Sequence, residues 1–364
     1  MTFFQLPVPP LPPGTTAKGK TIIVTGASSG LGFETARQVL ILGATTVVLA
    51  VRNTVKGEAS KASLLADRAV TQANNTPNIL VMNLDMANYA SVRAFSEAIK
   101  AKLPALHILV LNAGIVVTKY ARSTTGHERS VQVNYLSNAL LIASLLPLLD
   151  ATAVETGVAS RITWVGRRKQ TMSSLEESRP VLPGRKVLDH LDDKENFKRT
   201  QRYRDSKLLC TIFMHKLAPR LNNRRVILNM VYPGNVNTEL TEHLPRIQRW
   251  TIHAIKFVRA RKVEEGTRVI LHAMLVAGSE SHGKFLQDRE RISQIFWVTT
   301  RKRDKTAQRR GSEMLKKLYT ETLEEIRKHG GHVPLTWGSE SPLQPAPSSM
   351  IPLEGHQGIF ASHS

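Results

Sequence analysis

Short apolar runs alternate with longer stretches of helical periodicity along most of this chain. The runs are rich in β-branched residues and have the length of strands; they span residues 20–25, 45–51, 79–84, 108–111, 161–165 and 226–231. The clearest helical stretches between them span residues 31–42, 89–103 and 203–221. Strands that are apolar throughout and separated by helices are typical of a parallel sheet covered on both faces. The sequence therefore predicts an α/β fold built on a doubly wound parallel sheet.

A glycine-rich turn joins the first predicted strand to the first predicted helix. It reads Thr25-Gly26-Ala27-Ser28-Ser29-Gly30-Leu31-Gly32, with glycines four and two positions apart. Gly26 permits a tight turn, Gly30 lets the backbone approach a pyrophosphate, and Gly32 allows close packing of the helix. The start of the helix attracts the phosphates. The turn predicts a Rossmann-type, dinucleotide-binding domain, and an ordinary strand-to-helix turn is the alternative.

The residue that follows the second predicted strand bears on which dinucleotide is bound. Enzymes that use NAD commonly place an acidic residue there to hold the ribose 2′-hydroxyl, whereas this chain has Arg52. A guanidinium matches a 2′-phosphate through two hydrogen bonds. We therefore predict NADP(H) as the cofactor, with Ser28 and Lys56 as further contacts. For both basic residues, a solvated surface charge is the alternative.

The formal net charge of +21 raises the question of a polyanionic partner. Basic residues cluster in the segments 167–169, 198–204, 246–262 and 301–310. None of these segments carries a nucleic-acid-reading motif, and the aromatic residues, 5% of the chain, do not interleave with them. We expect no nucleic-acid partner. Peripheral contact with an anionic membrane, through residues 252–262 or 301–317, stays an alternative to a basic surface that attracts NADPH.

Composition also suggests how the chain is divided and where the protein resides. Residues 1–17 are rich in proline and predict a loose extension, residues 18–330 form one domain, and residues 331–364 are rich in proline and serine and predict a disordered tail. The chain starts without the parts of a secretory signal and has no apolar run long enough for a bilayer, so we expect a cytoplasmic protein. Cys210 is alone and histidines such as His127 lack paired ligand spacing, so no metal site is expected.

Further motifs follow the glycine turn in a set order. Asp85 ends the third strand, Leu111-Asn112-Ala113-Gly114 follows the fourth, Tyr203-Arg204-Asp205-Ser206-Lys207 has the spacing YxxxK, and Tyr232-Pro233-Gly234-Asn235-Val236-Asn237-Thr238 has the spacing PGxVxT. Together with the turn, they resemble the short-chain dehydrogenase/reductase family over about residues 18–288, and most of all its fungal-type, retinol-dehydrogenase-like branch. The resemblance implies hydride transfer between NADP(H) and a carbonyl or alcohol, with secondary metabolism as the setting.

The pair Tyr203 and Lys207 can be interpreted from its chemistry. Residues four apart on a helix share a face, so the phenol and the ammonium group can reach one pocket. A phenol is a poor acid–base catalyst at neutral pH unless a nearby cation stabilises its phenolate. We predict that Tyr203 exchanges the proton with the substrate and that Lys207 assists it while bonding the nicotinamide ribose. An accidental pair on a helix surface is the alternative.

The resemblance implies roles for further residues. Asn134 supports a water-mediated proton relay to Lys207, with a buried amide at a bend as the alternative interpretation. The neighbourhood of Asp85 holds the adenine, and Asn112 keeps the cofactor-side loop in shape. Val236 and Thr238 lie against the nicotinamide amide. The family also makes a homo-oligomer one of the expected assemblies.

One position departs from the family pattern. Members usually carry a serine two residues past the fifth strand, where this chain has Arg167. Loss of such a donor to a developing oxyanion costs roughly 3–4 kcal/mol, or about 10²–10³ in rate. Three interpretations stay open. Arg167 supplies the donors itself, a hydroxyl from Thr171, Ser173 or Ser174 replaces the serine, or the protein binds NADP with little turnover.

The sequence thus predicts an NADP(H)-dependent oxidoreductase that interconverts a carbonyl and an alcohol. Its substrate is expected to be a lipophilic small molecule, because residues 238–262, which should cover the pocket, include large apolar side chains: Leu240, Leu244, Trp250, Ile252 and Phe257. The alternative is a non-catalytic or weakly active NADP-binding scaffold or paralogue.

Overall fold

A computed structural model describes residues 7–74, 76–167, 181–182, 184–236, 261–287, 290–292 and 305–338. These residues form one eight-stranded sheet in the order β3-β2-β1-β4-β5-β6-β7-β8. The strands are β1 Thr21–Thr25, β2 Thr46–Val51, β3 Asn78–Asn83, β4 Ile108–Leu111, β5 Ser160–Val165, β6 Val226–Tyr232, β7 Phe285–Gln287 and β8 Glu290–Ile292. Strands β1 to β7 pair in parallel, and β8 is antiparallel to β7.

Helices flank both faces of this sheet. They are α1 Gly30–Ile41, α2 Thr54–Ala66, α3 Arg68–Ala73, α4 Tyr89–Lys102, α5 Arg129–Thr156, α6 Val187–Asp192, α7 Arg199–Leu217, α8 Val263–Leu271, α9 Lys305–Lys328 and α10 Leu335–Gly338. On β1, Ile23 packs with α4, α5 and α7, whereas its neighbours Ile22 and Val24 pack with α1 and α8. Successive residues of a strand point to opposite faces, so an entirely apolar strand requires two helical layers.

The strand order places a functional crevice. The chain proceeds from β1 outward to β3 and then returns to β4 on the other side of β1. In an open parallel sheet, this reversal leaves a crevice beyond the carboxyl ends of the two central strands, here at Gly26 and Asn112. The predicted α/β, doubly wound architecture is confirmed, and six predicted strands are reproduced to within one residue at each end.

Helix α5 is more apolar than the sequence patterns suggest. It is the one helix among the described residues that is long and apolar enough, by length and composition, to cross a membrane. Its side chains Leu140, Leu141 and Leu145 are fully buried in the core. The hydroxyl of Ser137 donates to the carbonyl of Met86, so this polar group on the helix is satisfied within the protein. These contacts identify a core helix.

Two short parts of the predicted extension and tail pack against the domain. In the proline-rich extension, Val8 is buried and its carbonyl accepts a hydrogen bond from Arg268. In the predicted tail, α10 buries Trp337, which is 1% exposed. Burial of large apolar side chains outweighs the disorder-favouring composition around them. Residues 1–6 and 339–364 lie outside the described residues.

The region between β5 and α7 includes helical structure among its described residues. It contains α6 and a short 3₁₀ turn at Lys194–Asn196, and α7 begins at Arg199 rather than at Tyr203. Helix α7 also ends at Leu217, where a 3₁₀ turn Ala218–Arg220 follows. Residues 168–180 and 183 lie outside the described residues. They include Thr171, Ser173 and Ser174, the residues considered as replacements for the serine.

Candidate active site

A cavity of about 360 Å³ opens at the crevice between β1 and β4. It brings together eight of the predicted cofactor residues, which come from the ends of four strands: Gly26, Ser28, Gly30, Leu31, Arg52, Lys56, Asp85 and Asn112. Its remaining wall is mostly apolar, with Met86, Ile115 and Val133 among the lining residues. A polar end and an apolar wall suit a ligand that carries both phosphates and flat rings.

The glycine turn forms a tightly fitted backbone wall. Gly26 has a φ of +67°, and a Cβ there would lie 3.1 Å from the Cα of Ala113. A Cβ on Gly32 would lie 2.3 Å from the carbonyl oxygen of Gly26, so only glycine fits. The amide of Asn112 donates to the carbonyls of Thr25 (2.9 Å) and Gly26 (3.4 Å) and joins the ends of β1 and β4. The loop-shaping role that the resemblance implies for Asn112 stays a prediction.

The N-terminus of α1 has backbone N–H groups that can bind an anion. Ser29 is its N-cap residue, but the Ser29 side chain makes no capping hydrogen bond. The next three helices are capped by side chains, because Asn53, Asp67 and Asn88 each accept a backbone N–H. The first-turn amides of α1 therefore keep donor capacity at the end of the helix that carries positive partial charge. The bare cradle and the uncapped helix together fit a pyrophosphate group.

Basic residues line the outer end of the cavity. Arg52 and Lys56 are exposed around the start of α2, where Asn53 accepts the backbone N–H of Lys56 (3.1 Å). Arg129, the first residue of α5, lines the same cavity and was not found by sequence reasoning, because no local motif marks it. The carboxylate of Asp85 accepts the N–H of Ala87 (2.9 Å) and shapes the turn after β3. The charged lining is therefore predominantly positive.

Lys207 connects helix α7 to the ends of two strands. Its side chain is buried, at 5% exposure, and its ammonium group donates to the carbonyl of Val165 at the end of β5 (3.0 Å). A Cβ on Gly114, beyond the end of β4, would lie 3.5 Å from the same nitrogen. Tyr203 lies one turn earlier on α7 and is half-buried. The predicted pair therefore lies at the carboxyl edge of the sheet, on the side of the crevice formed by β4 and β5.

Asn134 lies in a widened turn of helix α5. The π-turn Gln132–Leu136 interrupts the helix there, and the side chain of Asn134 is fully buried. Its oxygen accepts the N–H of Ile115 (2.7 Å), and its amide donates to the carbonyl of Ile115 and to the hydroxyl of Ser206, both at 2.9 Å. The buried amide at a bend, given above as the alternative interpretation, describes these contacts. Helix irregularities of this kind are frequent at functional sites.

The carbonyl groups released by this π-turn have new partners. The amide of Asn138 donates to the carbonyls of Val133 and Asn134, both at 3.0 Å. The thiol of Cys210 on α7 donates to the carbonyl of Asn134 as well. Burial raises the pKa of this thiol to about 12, so it remains protonated and uncharged. The single cysteine thus supports the distorted turn from the helix that carries Tyr203.

Comparison with known proteins connects this geometry to a family. A family model described as short chain dehydrogenase matches residues 20–162. The short chain dehydrogenase macD from Penicillium terrestre is 48% identical over 326 residues, which cover 90% of this chain and 96% of macD. The chain belongs to the short-chain dehydrogenase family. The short-chain dehydrogenase/reductase tropG from Talaromyces stipitatus is 46% identical, with the same coverage of 90% and 96%.

Solved structures share the fold of this short-chain dehydrogenase. The Pseudomonas aeruginosa RhlG/NADP active-site complex has a TM-score of 0.57 at 21% identity and covers 76% of this chain and 97% of that chain. The 3-oxoacyl (acyl-carrier-protein) reductase from Agrobacterium tumefaciens, with NADP bound, has a TM-score of 0.55 at 21% identity, with coverages of 76% and 95%. Family membership makes the protein an oxidoreductase that acts on a small molecule. The narrower resemblance to a retinol-dehydrogenase-like branch stays a prediction.

Arg167, at the position where the resemblance predicts a serine, contacts the tyrosine of the YxxxK motif in this short-chain dehydrogenase. The guanidinium carbon of Arg167 lies 5.2 Å from the centroid of the Tyr203 ring. A cation at that distance is attracted by the negative face of an aromatic ring. Arg167 is half-buried and immediately follows Gly166, where a Cβ would lie 2.7 Å from the sulfur of Met230. The tight packing of Gly166 fixes where the backbone of Arg167 starts.

The first residues after β6, up to Val236, lie close to the glycine turn of this short-chain dehydrogenase. Val236 pairs with Arg261 in an isolated parallel bridge. A Cβ on Gly266 of α8 would lie 2.5 Å from Val236 and 3.3 Å from Leu31, so the loop and the glycine turn meet at this glycine. Val236 therefore lies next to the cofactor half, whereas Thr238 and residues 238–260 lie outside the described residues.

Proposed function

We propose that this protein is an NADP(H)-dependent reductase that interconverts a carbonyl and an alcohol on a lipophilic small molecule. The single observation that carries the proposal is the convergence of the glycine cradle, the basic residues Arg52 and Lys56, and the pair Tyr203 and Lys207 on one edge of the sheet. The resemblance to fungal-type family members adds secondary metabolism as the proposed setting.

The choice of NADP(H) over NAD(H) is supported by charge. Arg52 and Lys56 lie where a ribose 2′-substituent is expected, and no salt bridge occupies either side chain among the described residues. Arg129 adds a third cation to the same cavity. Together they favour a cofactor with an additional phosphate. When bound, the cofactor supplies the hydride to the carbonyl carbon, or accepts it in the reverse direction.

We assign to Tyr203 the role of donating a proton to the substrate oxygen. As the carbon–oxygen double bond is reduced, the phenol gives its proton to the carbonyl oxygen and is left as a phenolate. Two cations then stabilise the negative charge: Lys207 from the same helix and Arg167 from above the ring. Asn134 holds Ile115 and Ser206 in place, and Ser206 in turn donates to the carbonyl of Tyr203 (2.9 Å). The backbone of Tyr203 is thus linked through Ser206 to Asn134 on α5.

The second candidate is an NADP-binding protein with little turnover. It is favoured by one observation, the arginine at the usual serine position. A serine would donate to the substrate oxygen, whereas the described contact of Arg167 is with the tyrosine ring. In that case, the cofactor half would be retained for binding alone.

The two candidates are separated by binding and turnover measurements on the same variants. Fluorescence titration gives the Kd for NADPH and NADH, and NADPH oxidation is followed with a panel of lipophilic ketones and aldehydes. We expect Tyr203→Phe to bind NADPH like the wild type and to lose about 10²–10⁴ in turnover. Equal turnover in wild type and Tyr203→Phe would refute the reductase. A sharp gain in Arg167→Ser would instead support the second candidate.

A further inference from the structure

Helix α9 is built into the core of the domain. Leu318, Leu323 and Ile326 are buried on its inner face. The hydroxyl groups of Tyr135 on α5 and Thr322 on α9 form a buried hydrogen bond of 2.7 Å. The helix therefore has a fixed position against α5 and α7, the helices that carry Asn134 and Tyr203.

Glu321 on α9 caps the start of helix α6. Its side chain is buried, and its two carboxylate oxygens accept the backbone N–H groups of Val187 and Leu188, each at 3.0 Å. The residue at the N-cap position of α6, Lys186, makes no side-chain capping bond. A short helix with this few residues has little stability of its own, so the cap from α9 fixes where it starts.

The end of α6 is held by the same face of α9. Asp192, the last residue of α6, accepts a bond from His127 (2.7 Å), whose other ring nitrogen pairs with Glu325 of α9 (3.1 Å). Asp192 also accepts the backbone N–H of Glu128 (2.7 Å). Glu321 and Glu325 are one turn apart on α9. Two adjacent carboxylates on one helix thereby hold both ends of another.

Arg202 links helix α6 to the part of helix α7 that carries Tyr203. The guanidinium of Arg202 is buried at 2% exposure and donates to the carbonyl of Leu191 in α6 and to that of Asn196 (3.0 Å) in the following turn. Arg202 directly precedes Tyr203 in α7. A shift of α6 would remove these acceptors and leave a buried guanidinium with unsatisfied donors.

We propose that α9 acts as a positioning element for the active site, in which Glu321 and the His127 pair hold α6, and α6 through Arg202 sets the position of Tyr203. The proposal rests on the function assigned to Tyr203 above. None of the described residues of α6 or α9 lines the cofactor cavity. Positioning by α9 should therefore affect turnover and leave NADPH binding unchanged.

The test compares Glu321→Gln with the matched control Glu324→Gln on the full chain. Glu324 lies on the same helix, is 55% exposed and pairs with exposed Lys186 at 3.6 Å. A glutamine at position 321 keeps the shape but turns a donor toward one of the α6 amides. We expect hydrogen exchange at Val187 and Leu188 to rise about ten-fold or more, and kcat to fall about ten-fold. The Kd for NADPH and the binding stoichiometry should not change, and Glu324→Gln should match the wild type in every measurement.

The proposal is overturned if exchange at α6 is unchanged, if kcat is unchanged, or if NADPH binding falls in parallel with kcat. If Glu321→Gln does not fold, His127→Gln releases the other end of α6 and should raise exchange toward Asp192, with the same split between kcat and NADPH binding. If the wild type turns over no carbonyl compound, the reductase proposal fails. Exchange at Arg202 and Tyr203 in Glu321→Gln then decides the positioning proposal alone, because an unchanged rate there overturns it.

Discussion

Replacement of His127 by glutamine tests whether α9 is held by charge. His127 lies between Asp192 and Glu325, and its ring stands at an edge-on angle to Tyr89, with ring centroids 6.2 Å apart. His329 pairs with the same Glu325 oxygen at 3.0 Å. Glutamine can keep a hydrogen bond but carries no charge. The change therefore removes the cation and leaves two acidic groups close together in a largely buried place.

The size of the effect follows from the pKa of His127. Burial opposes its charge, but the hydrogen bonds to Asp192 and Glu325 outweigh burial and raise the pKa from 6.5 to about 9. That difference corresponds to about 3 kcal/mol at ~1.4 kcal/mol per pKa unit. The bond from His127 also lowers the pKa of Glu325 to about 2, so both shifts describe one interaction and are counted once.

The contribution of His127 to the free energy of unfolding should fall as the pH rises. Because the folded-state pKa of His127 lies above its unfolded value of 6.5, its contribution is fully present below that pH and is lost as pH rises through about 9. Chemical denaturation at about pH 6 and about pH 10 should show the free energy of unfolding falling about 2–3 kcal/mol further in the wild type than in His127→Gln. Replacement of exposed His332 by glutamine is the control and should follow the wild type. An equal slope in wild type and His127→Gln would refute the charged pair.

Three further outcomes follow from the geometry. Arg52→Asp should weaken NADPH binding about ten- to hundred-fold by titration without weakening NADH binding, because only NADPH carries the 2′-phosphate and an acidic residue can hold the ribose 2′-hydroxyl of NADH; a parallel loss of both would contradict the assigned contact. Gly32→Ala places a Cβ 2.3 Å from the Gly26 carbonyl, so NADPH affinity should fall below detection while far-ultraviolet circular dichroism stays native; retained affinity would show that the cradle is not used. Trp337→Ala should lower the free energy of unfolding by about 3–5 kcal/mol in urea, since the indole is 1% exposed; a loss below about 1 kcal/mol would mean that α10 does not dock in solution.

Sequence patterns predict the central strands well because most residues of these strands are apolar and are buried on one face or the other. They miss α6, since its cap comes from Glu321, more than a hundred positions later in the chain. They also miss β7 and β8, which have three residues each and no recognisable period. In the site, the glycine turn and the Tyr203–Lys207 spacing are local signals and are found. Arg129 enters the cavity through tertiary packing and leaves no local signal.

The position of Arg167 changes what a residue at the end of β5 can do. A serine hydroxyl is short and would act on the substrate oxygen, whereas the guanidinium extends over the ring of Tyr203. Under the proposed function, its electrostatic effect falls on the proton donor Tyr203, with a magnitude of about 0.5–2 kcal/mol for a cation over an aromatic face. Lys207, proposed to assist the same phenol, is anchored to the carbonyl of Val165, two residues before Arg167. Both cations are thus fixed by the end of β5, so this strand end determines the charge around Tyr203 even without the serine.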